Sequence, residues 1–358
     1  MITLSLCMIV KNEEDVLGRC LDCVKSFADE IIIVDTGSTD RTKEIAAQYT
    51  DKIYDFEWIN DFSAARNFSF SKATKDYVMW LDADDVIDKK NRRALKELKH
   101  TLDPQVDMVL MKYDVAFDEH NNPTFSYYRE RIFKRSMNYR WISEIHEVIE
   151  ARGKLLYSPI AVYHKKVRPN EPGRNLKIFQ QMLQNGKQLD PRQQYYYARE
   201  LYYNGLYDEA IDQFHHFLQD GKGWVENNIS ACQNLANCYN RTGKETEALD
   251  ALFRSFLYDA PRAEVCCEIG KYFLERNNYA TAIFWYQLAL QRPMREENGG
   301  FVLKDCYGFT PLIQLCVCYD RLGDHEKAME YNEKAGKINP ESKAYLYNKK
   351  YFEETLKK

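Results

Sequence analysis

Residues 31–40 read Ile31-Ile32-Ile33-Val34-Asp35-Thr36-Gly37-Ser38-Thr39-Asp40. The run of Ile and Val shows no polar alternation, so it predicts a short strand buried on both faces. Asp35–Asp40 is a cluster of turn and cap residues, which ends the strand and leads into a helix. The same rhythm extends both ways. Upstream, Thr3–Val10 is an apolar strand, and Val16, Leu17, Cys20, Leu21 and Val24 recur at the three- and four-residue steps of one helix face. Downstream come a helix through Ile45, Ala46 and Tyr49, a strand at Lys52–Phe56 and a helix at Ala64–Ala73. A strand at Tyr77–Leu81 then runs into Asp82-Ala83-Asp84-Asp85. Strands alternating with helices imply an α/β domain of Rossmann-like type, a mostly parallel sheet with helices on both faces. Later strands at Met108–Phe117, Arg131–Lys134 and Ala161–His164 lack regular intervening helices, so the end of the domain is expected to be mixed.

The second half reads differently. Residues 168–175 hold two prolines and a glycine and read as a linker. Beyond it the strand signals stop and the chain repeats. Gly205–Ala210, Gly243–Ala248, Asn277–Ala282 and Gly323–Ala328 are related segments, and their alanines are 38, 34 and 46 residues apart. A period near 34 with a small residue ahead of an alanine-bearing helix resembles the tetratricopeptide repeat. The spacing of 46 implies an insertion around Arg295–Asp305. The expected domains are 1–167 (α/β), 168–190 (linker and connecting helix) and 191–358 (all-α repeats).

Of the 358 residues, 45% are apolar and 29% charged, which fits a globular protein and excludes a largely disordered one. Fifty basic against fifty-four acidic residues give a net charge of −4, which offers no argument for nucleic acid as a partner. No stretch reaches the ~18 apolar residues of a membrane span, and Ile2–Val10 lacks the basic leader and length of a signal peptide. A cytoplasmic location is therefore expected, with the ten cysteines as reduced thiols. Cys20 and Cys23 lie in a helix with no second such pair, so buried thiols are favoured over a zinc site.

Ligands bind at the strand ends of open parallel sheets. Three ends here carry distinctive residues: Val10-Lys11-Asn12-Glu13, Asp35-Thr36-Gly37-Ser38 and Asp82-Ala83-Asp84, with Ala65-Arg66-Asn67 before the third. Over roughly 1–165 this order resembles the family 2 glycosyltransferases of GT-A fold. The resemblance implies an inverting, metal-dependent transfer of a hexose, glucose or N-acetylglucosamine, from a UDP-sugar. It implies that Asp84 ligates Mn²⁺ or Mg²⁺, that Asp82 reaches the ribose or the metal shell, and that Ala83 lies beside the donor. Asp35 would accept from the uracil ring, Gly37 would let the backbone turn near the base, and Arg66 would lie near the nucleotide or diphosphate. Val10 and Glu13 would complete the base and ribose wall. The chemistry is coherent, because the leaving diphosphate gathers negative charge that an oxygen-ligated cation neutralises.

The whole chain also resembles a branch of bacterial enzymes with appended helical repeats, including bacteriocin S-glycosyltransferases and flagellin glycosyltransferases. In them a His-Glu pair and a later strand-end His stand where this chain has His146-Glu147 and His164. Glu147 is then the first choice for the base that takes the acceptor's proton, with Glu144 second. His164 is the candidate additional metal ligand, with His146 as the alternative. The acceptor implied is a peptide or protein, and the repeats could also form a homodimer. Two other readings stay open. One is a saccharide or lipid-linked envelope acceptor. The other is a repeat-based interaction scaffold with a catalytically silent first domain.

Overall fold

The computed structural model describes residues 1–117, 121–167, 171–295 and 302–355. The chain divides into two compact units, Met1–Gln188 and Leu189–Lys358. The first contains β1 (Leu4–Val10), α1 (Leu17–Val24), β2 (Glu30–Asp35), α2 (Thr42–Ala46), β3 (Ile53–Asp55), α3 (Phe62–Ser71), β4 (Tyr77–Trp80), β5 (Asp85–Val86) and α4 (Lys89–Thr101). These are followed by β6 (Met108–Phe117), β7 (Pro123–Lys134), β8 (Trp141–Ile142), β9 (Val148–Ile149), β10 (Leu155–His164) and α5 (Arg174–Gln184). Eight strands form one sheet in the order β3-β2-β1-β4-β7-β6-β10-β5. The first four are mutually parallel. β7 then runs antiparallel to both β4 and β6, and the short β5 pairs antiparallel with β10. β8 and β9 make a separate two-stranded ribbon.

Every residue of β2 is buried, as its unbroken apolar run requires. The α1 stripe of Leu17, Cys20, Leu21 and Val24 packs in one cluster with Leu6, Met8, Ile33 and Met79. Full burial of one such side chain is worth about 1.5–3 kcal/mol, against about 1 kcal/mol net for a hydrogen bond. Packing therefore sets the position of the strand ends, and the turn hydrogen bonds refine it. Cys20 and Cys23 are buried free thiols.

Several element boundaries differ from expectation, and β10 begins at Leu155 rather than Ala161. α3 starts at Phe62 because Asp61 caps it, accepting the Ala64 N–H at 2.9 Å. β7 begins at Pro123, well before Arg131. Its first half pairs with β6 alone, and its residues there are half-buried or exposed, so no apolar run announces it. Residues 168–170 of the expected linker and 296–301 of the expected insertion lie outside the described residues.

The second unit is helical: α6 (Pro191–Tyr203), α7 (Tyr207–Asp220), α8 (Val225–Arg241), α9 (Glu245–Arg254), α10 (Ala263–Glu275), α11 (Tyr279–Leu290), α12 (Phe309–Arg321), α13 (His325–Ile338) and α14 (Lys343–Thr355). The turns α6–α7, α8–α9, α10–α11 and α12–α13 each carry a left-handed residue: Gly205, Gly243, Asn277 and Gly323. Gly and Asn tolerate that conformation, which explains the small residue in each repeat. The repeat alanines Ala210, Ala248, Ala282 and Ala328 are all buried, as close helix approach demands. Tyr195 is likewise buried in packing, its hydroxyl donating to Ser230 Oγ at 2.8 Å.

Candidate active site

β1 and β2 end in register, Val10 opposite Asp35. Thr36 ties the two ends together, donating its N–H (2.9 Å) and its hydroxyl (3.1 Å) to the Val10 carbonyl. Asp35 is 2% exposed. Its Oδ2 accepts the N–H groups of Gly37 (3.0 Å) and Ser38 (2.9 Å), while Oδ1 is buried with no hydrogen-bond partner. A buried acceptor left open is costly unless something donates to it. Gly37 has φ 99°, and a Cβ there would meet nothing, so the backbone conformation alone asks for glycine. Glu13 donates its N–H to Thr42 Oγ1 at 2.7 Å, and its carbonyl accepts from Val16 and Leu17 at the start of the first helix. Asn12, which lies in the first of these strand ends but was given no role there, is left-handed and locks this corner. Its Oδ1 accepts the Thr39 N–H at 2.8 Å, and its own N–H donates to Ser38 Oγ at 2.9 Å.

β4 lies on the other side of β1, so Asp82–Asp85 emerge at the same sheet edge as Val10 and Asp35. Arg66, on α3, donates from Nη2 to Asp82 Oδ1 at 2.8 Å and from Nε to Glu147 Oε1 at 2.7 Å. Its guanidinium carbon sits 4.8 Å from the ring centroids of both Trp80 and Trp141. The expectation set Arg66 against the nucleotide or diphosphate. In the structure two carboxylates and two indole rings enclose it. Burial would raise the Asp82 carboxyl, but the charges of Arg66 and Arg131 outweigh burial and hold it below its ordinary value.

Glu147 reaches this cluster through the β8–β9 ribbon. Ser143 (φ 83°) and His146 (φ 50°) are left-handed in the connecting loop. Asn67, next to Arg66, fixes the ribbon: its side-chain amide donates to the Trp141 carbonyl and accepts the Trp141 N–H, both at 2.9 Å. Nothing in the local sequence marks Asn67 for this part, since its partner lies 74 residues downstream. Glu144, the second choice for the base, is paired with Lys187 at 2.6 Å, and His146 stacks on Phe179.

Asp84 and His164 meet because β5 pairs with β10, His164 opposite Asp85. The Asp84 carbonyl accepts the Lys165 N–H (3.1 Å) and Arg19 Nη2 (3.3 Å). His164 Nδ1 lies 3.3 Å from Asp84 Oδ1 and 3.6 Å from Asp85 Oδ1. Among the described residues, Asp84, Asp85 and His164 are the group whose ligand atoms converge closely enough to hold a metal ion, within 4.8 Å of one another. Asp85 is already engaged at both oxygens. Its Oδ2 accepts from Arg131 Nη1 (3.0 Å) and the Asp82 N–H (3.1 Å), and its Oδ1 from the Tyr113 hydroxyl (2.9 Å). Asp84 and His164 remain, one carboxylate and one imidazole, a mixed O/N donor pair that suits Mn²⁺ or Mg²⁺ with further positions left for phosphate oxygens. Burial opposes charging His164, but hydrogen bonds with Asp84 and Asp85 outweigh it and push the imidazole up to about 10. A cation at that ring must displace the proton, which ties metal affinity to pH.

Ala83 is buried in the core between these carboxylates. Its side chain packs in the core cluster, while those of Asp82 and Asp84 stay partly exposed. The residues singled out from sequence thus fall into three adjacent groups: Val10, Glu13, Asp35 and Gly37; Arg66, Asp82 and Glu147; Asp84 and His164.

Residues 5–156 match the family described as Glycosyl transferase family 2, and residues 313–342 match Tetratricopeptide repeat. A TPR repeat-containing protein of Synechococcus elongatus is 38% identical over 152 residues, 42% of this chain and 36% of that protein. The SPbeta prophage-derived glycosyltransferase SunS of Bacillus subtilis is 29% identical over 223 residues, 59% of this chain and 52% of that protein. The chain spans about a third to a half of the length of these curated relatives. Among solved structures, a crystal structure of MamA shares 24% identity over 40% of this chain and 74% of that one, with a TM-score of 0.32. The first unit is a family 2 glycosyltransferase domain of GT-A type, and the helical unit after it carries tetratricopeptide repeats.

Proposed function

We propose that this chain transfers a hexose, glucose or N-acetylglucosamine, from a UDP-sugar to a peptide or protein in the cytoplasm, with inversion at the anomeric carbon. The observation that carries the reading is the Asp84–His164 pair at the same sheet edge as the open, buried Oδ1 of Asp35. Asp35 Oδ1 accepts an N–H from the uracil ring, a match of acceptor to donor. Asp82, held by Arg66, faces the ribose hydroxyls. Mn²⁺ or Mg²⁺, held by Asp84 and His164, would neutralise charge on the departing diphosphate. Glu147 takes the proton of the acceptor nucleophile as the new bond to the anomeric carbon forms and the bond to the diphosphate breaks. Arg66 keeps that carboxylate and Asp82 at a fixed separation.

The acceptor class follows from the resemblance of the whole chain to repeat-bearing bacterial enzymes, with repeats suited to extended chains. Among the described residues no helix is long and apolar enough to cross a membrane. The test is release of nucleoside diphosphate over a panel of nucleotide sugars with Mn²⁺ or Mg²⁺. One UDP-hexose is turned over, and excess chelator stops it. Turnover confined to another nucleotide, or undiminished by chelator, overturns the reading.

A further inference from the structure

Behind Asp84 and His164 lies a second set of polar groups that carries no sequence motif. Tyr113, on β6, is buried, and its hydroxyl lies 2.9 Å from Asp85 Oδ1 and 2.9 Å from His164 Nδ1. Asp85 and Arg131 are fully buried and paired at 3.0 Å. Arg131, on β7, donates also to the Trp80 carbonyl at 3.3 Å, and its guanidinium carbon lies 3.9 Å from the Trp80 centroid and 4.4 Å from that of Tyr113. Groups from β5 and β6 thus meet at the His164 imidazole, with Arg131 of β7 anchoring both.

A phenol has one proton to give. The Tyr113 O–H donates to Asp85 Oδ1, so the same oxygen accepts from His164 Nδ1–H, which leaves Nε2 as the ring nitrogen with a lone pair for a cation. The Tyr113 ring is further fixed edge-on against Tyr127, with centroids 5.8 Å apart. The donor cannot turn elsewhere without leaving Asp85 short of a partner inside the core.

We propose that Tyr113, anchored by Asp85 and Arg131, is a positioning residue that sets the His164 ring beside Asp84 and so makes the pair competent to bind a divalent cation. This rests on the metal-dependent reading of the site. Partners of this kind, bonded to a ligating histidine, are worth about ten- to a hundredfold in metal affinity. Asp85 belongs to the anchor and not to the ligand set, despite its closeness.

The experiment is Mn²⁺ binding to the full chain, read as free Mn²⁺ by electron paramagnetic resonance, for wild type, Tyr113→Phe and Tyr163→Phe. Tyr163 is the matched control. It neighbours His164 on β10, and its hydroxyl donates to Asp88 Oδ2 at 3.2 Å and accepts from Asn91 Nδ2 at 3.1 Å, away from the pair. Tyr113→Phe is expected to weaken Mn²⁺ at least tenfold, while Tyr163→Phe binds as wild type does and the two variants melt at similar temperatures. Wild-type affinity in Tyr113→Phe, or equal loss in both variants, overturns the proposal and leaves the metal reading standing. A wild-type chain that binds no Mn²⁺ overturns the metal reading itself, and the proposal with it. Each of these outcomes is read from metal binding alone, without nucleotide-sugar turnover.

Discussion

Arg66 shares one positive charge between two carboxylates to which the proposed function gives different tasks. Its side chain is 9% exposed and that of Glu147 is 11% exposed, so neither is well solvated when the other is removed. Taking one partner from a buried pair costs about 3–5 kcal/mol, because the survivor is left charged and unpaired. Arg66→Ala is therefore expected to lower thermal stability by several degrees and to abolish turnover. Arg66→Lys is the sharper test. Lysine keeps the charge but lacks the planar fork that reaches Asp82 and Glu147 together and stacks on Trp80 and Trp141. Sugar transfer measured with Arg66→Lys is expected to fall at least tenfold with the fold intact. Wild-type turnover in that variant would show that charge alone suffices and that the spacing of the two carboxylates is irrelevant.

At the scale of elements, the strand ends are held in register from the opposite side of the sheet. Glu30 opens β2 as a buried carboxylate. Thr74 donates its N–H and hydroxyl to it, both at 2.8 Å, and Ser5 and Lys52 complete its shell. Burial would raise its pKa, but the bonds from Lys52, Ser5 and Thr74 outweigh burial and bring it down to about 2. A depressed folded-state value means the stabilisation is complete above the ordinary value of 4.5 and fades as pH falls toward 2. The linkage is on the order of 3 kcal/mol. Urea unfolding of Glu30→Gln beside wild type checks this: the variant is expected to be less stable at pH 6, with the gap narrowing by pH 3. A gap unchanged between those pH values contradicts the assignment.

The elements also show what a sequence can announce. The placement of Asp35, Asp82 and Asp84 was legible because each lies at or shortly after the end of an apolar strand, and in a parallel sheet that position fixes which edge a residue occupies. Glu147 and His164 came through resemblance, since nothing local marks a short ribbon or the end of a mixed strand. Tyr113, Asp85 and Arg131 were not legible. Their meeting depends on β7 entering between β4 and β6 and on β5 pairing with β10, and neither pairing leaves a trace in local periodicity. The protein partners of Arg66 were not legible for a related reason. Its type suits a phosphate as well as a carboxylate, and only the folded chain shows which groups come within reach.

For the whole molecule, the chain divides into Met1–Gln188 and Leu189–Lys358, so α5 falls within the first unit. The repeats are legible through their alanines and left-handed turns, and a short solenoid needs its neighbouring repeats to bury a continuous core. Chemistry, however, concentrates in the first unit, and the central claim is electrostatic. In the proposed function, Asp84 is the carboxylate through which a cation meets the diphosphate. The direct measurement is calorimetric titration of UDP into wild type and Asp84→Ala, each in Mn²⁺ and in excess chelator. Mn²⁺ is expected to tighten UDP binding to wild type at least tenfold and to give no such gain in Asp84→Ala, with the variant folded. Equal affinity for UDP with and without metal in wild type, or the full Mn²⁺ gain retained in Asp84→Ala, would contradict that claim.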